Sequence, residues 1–369
     1  MPDAVFVRRF AVVALIGAAL WGCESEGADP LAIQDDVLTC DLDLQFLADG
    51  GVGRDGIPAL SDPTFLPGVP LAGSTEYLED DSRVLAVWHS GEWLVIPHAI
   101  MYRHEIVNLT DIVVTYCPLT GTGLAFARSS IGGAELGVSG LLYQANLVLY
   151  DRNQPNESLW PQMLGQARCG SRSGDSMTRV PLVESTWGGW IAQHPDSKVL
   201  AVTPSMFNLD AYLVNPYGSG YEASRNGDFL GFPMPPNDTR RLPKERVLGI
   251  PDADLGSLSF PFLAMAEVGE HAVFDFDYEE APAVVIWDRS LQSAAAYRSI
   301  VTGQQTTFTA TTDGVVDDLT GTRWSTSGIP LSGALAGSSE RLEPIASAYV
   351  SFWAPWSAFF PGTTIAVGS

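Results

Sequence analysis

The second half of the sequence repeats a block of the first half but lacks its cysteine. Residues 113–128 read VVTYCPLTGTGLAFAR, and residues 284–298 read VVIWDRSLQSAAAYR. Both blocks start with Val-Val, carry an aromatic residue two positions later and end at an arginine, and Cys117 of the first corresponds to Asp288 of the second. The repeat restricts the fold to two similar units. We expect the chemistry in the unit that keeps the cysteine.

Strands dominate the predicted secondary structure. Short apolar runs rich in Val, Ile, Tyr and Trp alternate with Gly, Pro, Asn and Asp, which is typical of strands and turns rather than helices. The segments 187–195 and 353–361 share a Trp-x-x-Trp spacing that predicts a short helix, and each ends in a proline that stops it. The sequence therefore predicts a mainly β, α+β fold, in which each unit has several strands and one capping helix.

The N-terminus is predicted to be a targeting segment. Arg8 and Arg9 precede a twelve-residue apolar run that is too short to span a bilayer as a helix. The run ends in Leu-Trp-Gly-Cys at residues 20–23, which resembles a bacterial lipobox, so Cys23 is the expected lipidation site. The alternative is an ordinary signal peptide with an incidental cysteine. We therefore expect an exported protein that is attached to a membrane by a lipid on Cys23, on the extracytoplasmic side of the cell envelope.

The repeat and the targeting segment together divide the chain. We expect a signal peptide over 1–22, an acidic tether over 23–45, a first repeat domain over 46–205, a connecting segment over 206–245 and a second repeat domain over 246–369. Asp and Glu total 43 against 20 Lys and Arg, which gives a formal net charge of −23. Such a surface repels phosphate backbones, so nucleic acid is not an expected partner.

Several motifs together resemble one bacterial family. They include GVGRDGIPAL at 51–60, HEIVN at 104–108, TYCPLTGTG at 115–123 and SGLLYQANLVLYDR at 139–152. The chain resembles the DUF3179 family, and the resemblance implies an exported or lipid-anchored protein of unassigned activity. Members often have a second cysteine three residues after the one matching Cys117. That position is Thr120 here, which weakens a dithiol or two-sulfur role.

Cys117 is the sharpest candidate for chemistry. It lies at a predicted strand end beside a Gly-rich turn, and His104 lies thirteen positions upstream, before the preceding strand. Neighbouring strands could bring the imidazole to the thiol as a base, with Glu105 or Asp151 orienting it, so a thiol-dependent enzyme with catalytic Cys117 and His104 is one hypothesis. The alternative is that Cys117 is a buried apolar residue or half of a disulfide.

A metal site is the preferred hypothesis for the same region. Cys117, His104, His98 and His89 could bind a soft metal, copper or zinc, although no two of them have a tight ligand spacing. A third hypothesis is a non-catalytic binding or assembly module of the cell envelope, with its site in an aromatic cleft between the domains. Cys40, Cys117 and Cys169 allow one disulfide, and the sequence leaves its three possible pairings open.

Overall fold

The structure is a computed structural model that describes residues 40–68, 77–202, 206–251 and 256–367. The predicted signal peptide, Cys23 and the predicted tether up to residue 39 lie outside these residues. The described chain is rich in strands and has only short helices, which confirms the predicted fold class. None of the helices in the described ranges has both the length and the apolar character that crossing a membrane requires.

The first half begins with three short strands and continues as hairpins separated by two helices. Its strands are Leu47–Asp49 (β1), Leu60–Ser61 (β2), Phe65–Pro67 (β3), Arg83–His89 (β4), Glu92–Pro97 (β5), Ile106–Asn108 (β6), Ile112–Cys117 (β7), Thr122–Ala127 (β8), Leu136–Tyr143 (β9), Asn146–Asp151 (β10), Leu159–Pro161 (β11), Arg179–Val180 (β12), Leu182–Thr186 (β13) and Lys198–Leu200 (β14). Its α-helices are His98–His104 (α1) and Trp187–Gln193 (α2), and two 3-10 helices cover Leu44–Phe46 and Arg128–Ile131.

The second half follows a connecting segment, residues 206–245, that contains one helix, Leu209–Leu213 (α3). Its strands are Arg246–Ile250 (β15), Leu258–Pro261 (β16), His271–Tyr278 (β17), Ala281–Asp288 (β18), Ser293–Arg298 (β19), Ile300–Val301 (β20), Gln304–Gln305 (β21), Phe308–Thr311 (β22), Gly314–Asp317 (β23), Arg323–Trp324 (β24), Pro330–Ser332 (β25), Tyr349–Phe352 (β26) and Thr364–Ile365 (β27). Its helices are Phe262–Val268 (α4) and Trp353–Phe359 (α5).

The two halves arrange their elements in the same order. One sheet of the first half has the order β13-β4-β5-β14-β3, and one of the second half has the order β26-β15-β16-β27. In both sheets the two central strands are antiparallel, and the strand after the tryptophan helix joins in parallel. This is the arrangement that an internal duplication predicts. Common origin by duplication itself stays a prediction.

The two tryptophan helices, α2 and α5, confirm the helices that the Trp-x-x-Trp segments predict. The indole N–H of Trp190 donates to the Ser197 hydroxyl at 3.0 Å, and that of Trp356 donates to the Thr363 hydroxyl at the same distance. Both partners lie seven residues after their tryptophan. Because a buried indole N–H needs an acceptor, these matched hydrogen bonds explain how each half buries its tryptophan and fixes the following strand.

Each half places its tryptophan helix against a turn of the other half. The amide of Phe352, just before α5, donates to the Thr120 carbonyl at 2.9 Å, and the amide of Thr186, just before α2, donates to the Leu291 carbonyl at 3.0 Å. Thr120 lies three residues after Cys117, and Leu291 lies three residues after Asp288. The exchange is therefore reciprocal, and the second half covers the turn that contains Cys117.

A buried group of charges joins the halves where their first sheets meet. Arg83 of β4 and Arg246 of β15, which hold matching positions, both donate to the same carboxylate oxygen of Glu184, with closest distances of 2.7 and 3.0 Å. Arg246 also binds Glu222 of the connecting segment at 2.7 Å. Burial opposes ionisation of Glu184, but the two guanidinium groups outweigh it and lower its pKa to about 2.

One disulfide joins Cys40 to Cys169, and Cys117 is a free thiol. This pairing, one of the three that the sequence left open, closes a long loop around the β9–β11 sheet. Disulfides persist in oxidising compartments, so the pairing is compatible with an exported protein.

Candidate functional site

Cys117 ends β7 and is buried, with 1% of its surface exposed. The Leu147 amide donates to its sulfur at 3.4 Å, and the thiol points to the Ala145 carbonyl at 3.9 Å. Burial, followed by the nearby Glu105 carboxyl, raises the pKa of the thiol to about 11. Since the thiolate is the nucleophilic form, this environment disfavours a Cys117 nucleophile at neutral pH.

The turn after Cys117 is closed by tight packing. Gly121 has φ 61°, and a Cβ at this position would lie 2.6 Å from the Phe352 ring of the second half. Glycine thus permits both the turn and the close approach of β26. Thr120 is buried, and its hydroxyl accepts from the Asn146 side-chain amide at 2.9 Å. Thr120 therefore belongs to a polar network within the core.

His104 is also buried, but both of its ring nitrogens are bound away from Cys117. Nδ1 lies 2.8 Å from the Pro58 carbonyl, and Nε2 lies 2.7 Å from the Tyr212 hydroxyl. A carbonyl only accepts, so Nδ1 donates to Pro58 and Nε2 accepts from Tyr212. Burial lowers the pKa of the imidazole. The predicted pair of Cys117 thiol and His104 base is therefore not formed in this arrangement.

The remaining predicted ligands, His98 and His89, lie in different environments. The His98 ring is buried and packs at a tilt against Tyr116 with centroids 4.1 Å apart, and burial lowers its pKa to about 4. His89, at the end of β4, pairs with Asp111. Among the residues that the structure describes, no three His, Cys, Asp or Glu side chains form a group that could hold a metal ion. The expected copper or zinc set is thus not assembled.

Glu105 is an ionisable side chain whose charge reaches Cys117. It follows α1 directly with φ 56°, a left-handed conformation that is uncommon for glutamate. Two backbone hydrogen bonds hold it there: its amide donates to the Met101 carbonyl, and its carbonyl accepts from the Tyr116 amide. A strained residue with a chargeable side chain, held firmly by its neighbours, is a feature typical of functional sites.

The Glu105 side chain lines a small apolar pocket, here called the Glu105 pocket, with a volume of about 120 Å³. Its walls come from the loop before β2, the β9–β10 hairpin, the Cys117 turn and the connecting segment: Gly50, Val52, Ile57, Glu105, Leu119, Val138, Gly140, Leu141, Leu142, Leu147, Tyr217, Leu230 and Phe232. Cys117 lies directly behind this wall, through its hydrogen bond with Leu147.

The carboxyl of Glu105 has no hydrogen bond or ion pair within the described ranges, and burial alone raises its pKa to about 8. Tyr217, from the connecting segment, lines the same pocket and lies within the reach of the Glu105 charge. Burial, then Glu105 and Cys117, raise the pKa of the Tyr217 phenol. Arg103 is the cation whose charge reaches Tyr217. At neutral pH the pocket therefore presents a largely protonated carboxyl and a phenol, both uncharged.

Tyr217 could not be identified as a site residue from the sequence. It lies 112 residues after Glu105, in a segment whose many Tyr, Pro, Asn and Gly residues indicate only an ordered connection. The tyrosines of this segment are the signal that the sequence offers, since a plain linker does not need aromatic residues. Glu105 was expected to orient an imidazole, whereas the structure places its carboxyl in a pocket of its own.

The second half has a different cavity at the matching position. Asp288 accepts hydrogen bonds from the Ser290 amide and hydroxyl, and its other oxygen lies 3.6 Å from His271 Nδ1. Both residues line a polar cavity of about 410 Å³ together with Arg323. His271 did not enter the sequence-based candidates. The position that holds Cys117 in one half thus holds a hydrogen-bonded carboxylate in the other.

Comparison with known families gives one result. A family model described as "Protein of unknown function (DUF3179)" matches residues 54–363, which is most of the chain. No curated protein and no solved structure matches the chain. The matched region contains the Glu105 pocket except for Gly50 and Val52.

Proposed function

The chain belongs to the DUF3179 family, proteins of unknown function, and we propose that it is a binding protein whose Glu105 pocket takes a small, uncharged, largely apolar molecule through the Glu105 carboxyl and the Tyr217 hydroxyl. The observation that carries this proposal is the Glu105 carboxyl, which lines an apolar pocket without a partner among the described residues. A carboxyl that faces an apolar pocket loses much of its hydration, and a ligand that hydrogen-bonds to it would replace that lost hydration.

The chemistry of the pocket sets the kind of ligand. A protonated carboxyl both donates and accepts, so it suits a hydroxyl or an amide. The apolar walls disfavour an ion, which would lose its hydration without gaining a counter-charge. An apolar protein cavity of about 150 Å³ is known to hold benzene, so a pocket of this size suits a molecule with one small ring or a short chain.

Four of the eight sequence segments that resemble the family converge on this pocket. The segments 51–60, 104–108, 115–123 and 139–152 each contribute at least one wall residue. These segments come from different strands and loops of the first half. Their convergence supports the pocket as the place where the family's function is performed.

A binding role also agrees best with the state of the neighbouring groups. The thiol of Cys117 is buried with a raised pKa, and both nitrogens of His104 are engaged. These observations favour the non-catalytic module over the thiol enzyme and the soft-metal site. The module was expected to bind between the domains, whereas the Glu105 pocket lies in the first half under the connecting segment.

Titration with benzyl alcohol at two pH values tests the proposal. Benzyl alcohol is uncharged throughout, so only the protein changes protonation. If the ligand needs the protonated carboxyl, ionisation of Glu105 should weaken binding about 30-fold between pH 6.5 and 9.5. Calorimetry on residues 24–369 would measure this. Glu105→Gln, which keeps a donor and an acceptor at both pH values, should bind independently of pH.

Cys117→Ala is the matched control for this titration. Since the thiol lies behind the pocket wall, its removal should change the affinity for benzyl alcohol less than about threefold. The proposal is contradicted if benzyl alcohol does not bind at either pH. It is also contradicted if binding has the same pH dependence in Glu105→Gln as in the parent protein.

We further propose that the protein acts outside the cytoplasm, anchored by a lipid on Cys23. The lipobox-like segment at residues 20–23 and the Cys40–Cys169 disulfide support this location. Labelling with radioactive palmitate in a bacterial host should mark the full chain but not the Cys23→Ser variant. Equal labelling of both would refute the anchor.

A further inference from the structure

A second, separate cleft lies between the two halves. It has a volume of about 250 Å³ and is lined mainly by apolar side chains. Trp88, Trp93 and Pro181 form the wall from the first half, and Tyr297, Ser327 and Arg341 belong to the wall from the second half. We call this the aromatic cleft. It shares no lining residue with the Glu105 pocket.

Trp88 is an exposed aromatic platform at this cleft. Its surface is 45% exposed, whereas the other tryptophans of the described chain are buried or partly buried. Its ring meets Trp93 edge to face at 5.3 Å, and Trp93 in turn contacts Trp190 at 5.0 Å. A large apolar ring held open to solvent by a rigid aromatic stack is typical of a binding surface.

Arg341 supplies the charge of the cleft. Its guanidinium lies 5.6 Å from the centroid of the Trp88 ring and has no ion pair among the described residues. Within the described ranges its one hydrogen bond goes to the Glu340 carbonyl, and the Glu340 carboxylate accepts from the Thr302 amide. Arg341 is the only charged residue in the described lining of the cleft. Most of its five N–H donors are therefore available to a ligand.

The floor of the cleft adds neutral polar groups. The Ser327 hydroxyl is within hydrogen-bond distance, 2.9 Å, of His194 Nε2. Burial, followed by the positive charge of Arg341, lowers the pKa of His194 to about 4. The imidazole is therefore neutral at physiological pH, and the cleft carries a single positive charge in a protein of strongly negative net charge.

We infer that the aromatic cleft binds a small organic acid in which one carboxylate is attached to a flat or apolar ring. The ring would lie on Trp88 within the apolar walls, and the carboxylate would accept a two-pronged hydrogen bond from Arg341, whose planar group matches it. The ring could be an aromatic ring or the apolar C–H face of a sugar, because both can lie against an indole and both can carry a carboxylate. The site is independent of the Glu105 pocket and of the function proposed for it.

Calorimetric titration with 2-naphthoate and with glucuronate tests this inference, because the two acids represent an aromatic ring and a sugar ring. At least one of them should bind residues 24–369. Arg341→Gln and Trp88→Ala should each weaken that binding tenfold or more, since each removes one of the two recognition elements. The neutral analogue 2-naphthamide should bind at least tenfold more weakly than naphthoate.

Arg225→Gln is the matched control, since Arg225 is exposed and lies outside the cleft. It should leave the affinity within about twofold, as should Glu105→Gln, which separates this site from the Glu105 pocket. Binding of the glucuronate alone, with the same loss in Arg341→Gln, supports the inference with a sugar acid as the ligand. Absence of binding by both acids overturns it, and so does an affinity that Arg341→Gln leaves unchanged.

Discussion

Replacing Glu184 with glutamine is expected to lower the free energy of unfolding by about 3–5 kcal/mol. Glu184 is 2% exposed, and one of its oxygens receives hydrogen bonds from both Arg83 and Arg246. The variant would leave two buried guanidinium groups near each other with Glu222 as the remaining carboxylate partner of Arg246. Urea unfolding at neutral pH, compared between parent and variant, measures the loss.

Glu92→Gln is the control for this prediction. Glu92 forms an ion pair with Lys198, but both side chains are about two-fifths exposed, so the loss of this pair should cost at most about 1 kcal/mol.

The contribution of Glu184 to the free energy of unfolding should also depend on pH. Its pKa is about 2 in the folded protein against an ordinary 4.5, so the stabilisation is present above 4.5 and is lost as the pH falls towards 2. Equal, small losses in both variants would contradict this account.

Glu105→Gln is expected to remove a pH dependence of stability. The pKa of Glu105 rises from 4.5 to about 8 on folding, so between these values the folded state binds more protons than the unfolded chain. The free energy of unfolding of the parent therefore falls as the pH rises through this window, by roughly 4 kcal/mol in total. Glutamine cannot ionise, so the variant should gain about this much relative to the parent between pH 5 and pH 9.

Glu280→Gln is the matched control, because Glu280 also has a left-handed backbone, with φ 59°, but is exposed. Its stability relative to the parent should not change with pH by more than about 0.5 kcal/mol. Denaturant unfolding at several pH values would give both comparisons. A Glu105→Gln variant whose stability runs parallel to that of the parent from pH 5 to pH 9 would show that the buried carboxyl is not held protonated.

The sequence predicts the local elements well because their signals are local. The Gly-rich turn after Cys117 predicts the β7–β8 hairpin, and the Trp-x-x-Trp spacing with its following proline predicts α2 and α5. Cys117 at a strand end is confirmed for the same reason. These features depend on residues within one turn or one helix, where side-chain periodicity and backbone preference decide the conformation.

The site itself depends on contacts between distant segments, which the sequence does not reveal. His104 binds the hydroxyl of Tyr212, 108 residues later, and that contact occupies the ring nitrogen that would accept a proton. Glu105 shares its pocket with Tyr217 of the connecting segment, 112 residues later. Trp88 and Arg341 meet across the two halves, 253 positions apart in the sequence. Spacing along the chain carries no signal for such pairs without an alignment of related sequences.

The most direct test of the central claim is a carbon-13 NMR titration of the Glu105 carboxyl, with and without benzyl alcohol, and with Glu105→Gln to assign the signal. We expect a midpoint at about pH 8 that moves upward when benzyl alcohol is added, because the ligand binds the protonated form. A midpoint near the ordinary glutamate value of 4.5, unchanged by the ligand, would contradict the proposed binding pocket.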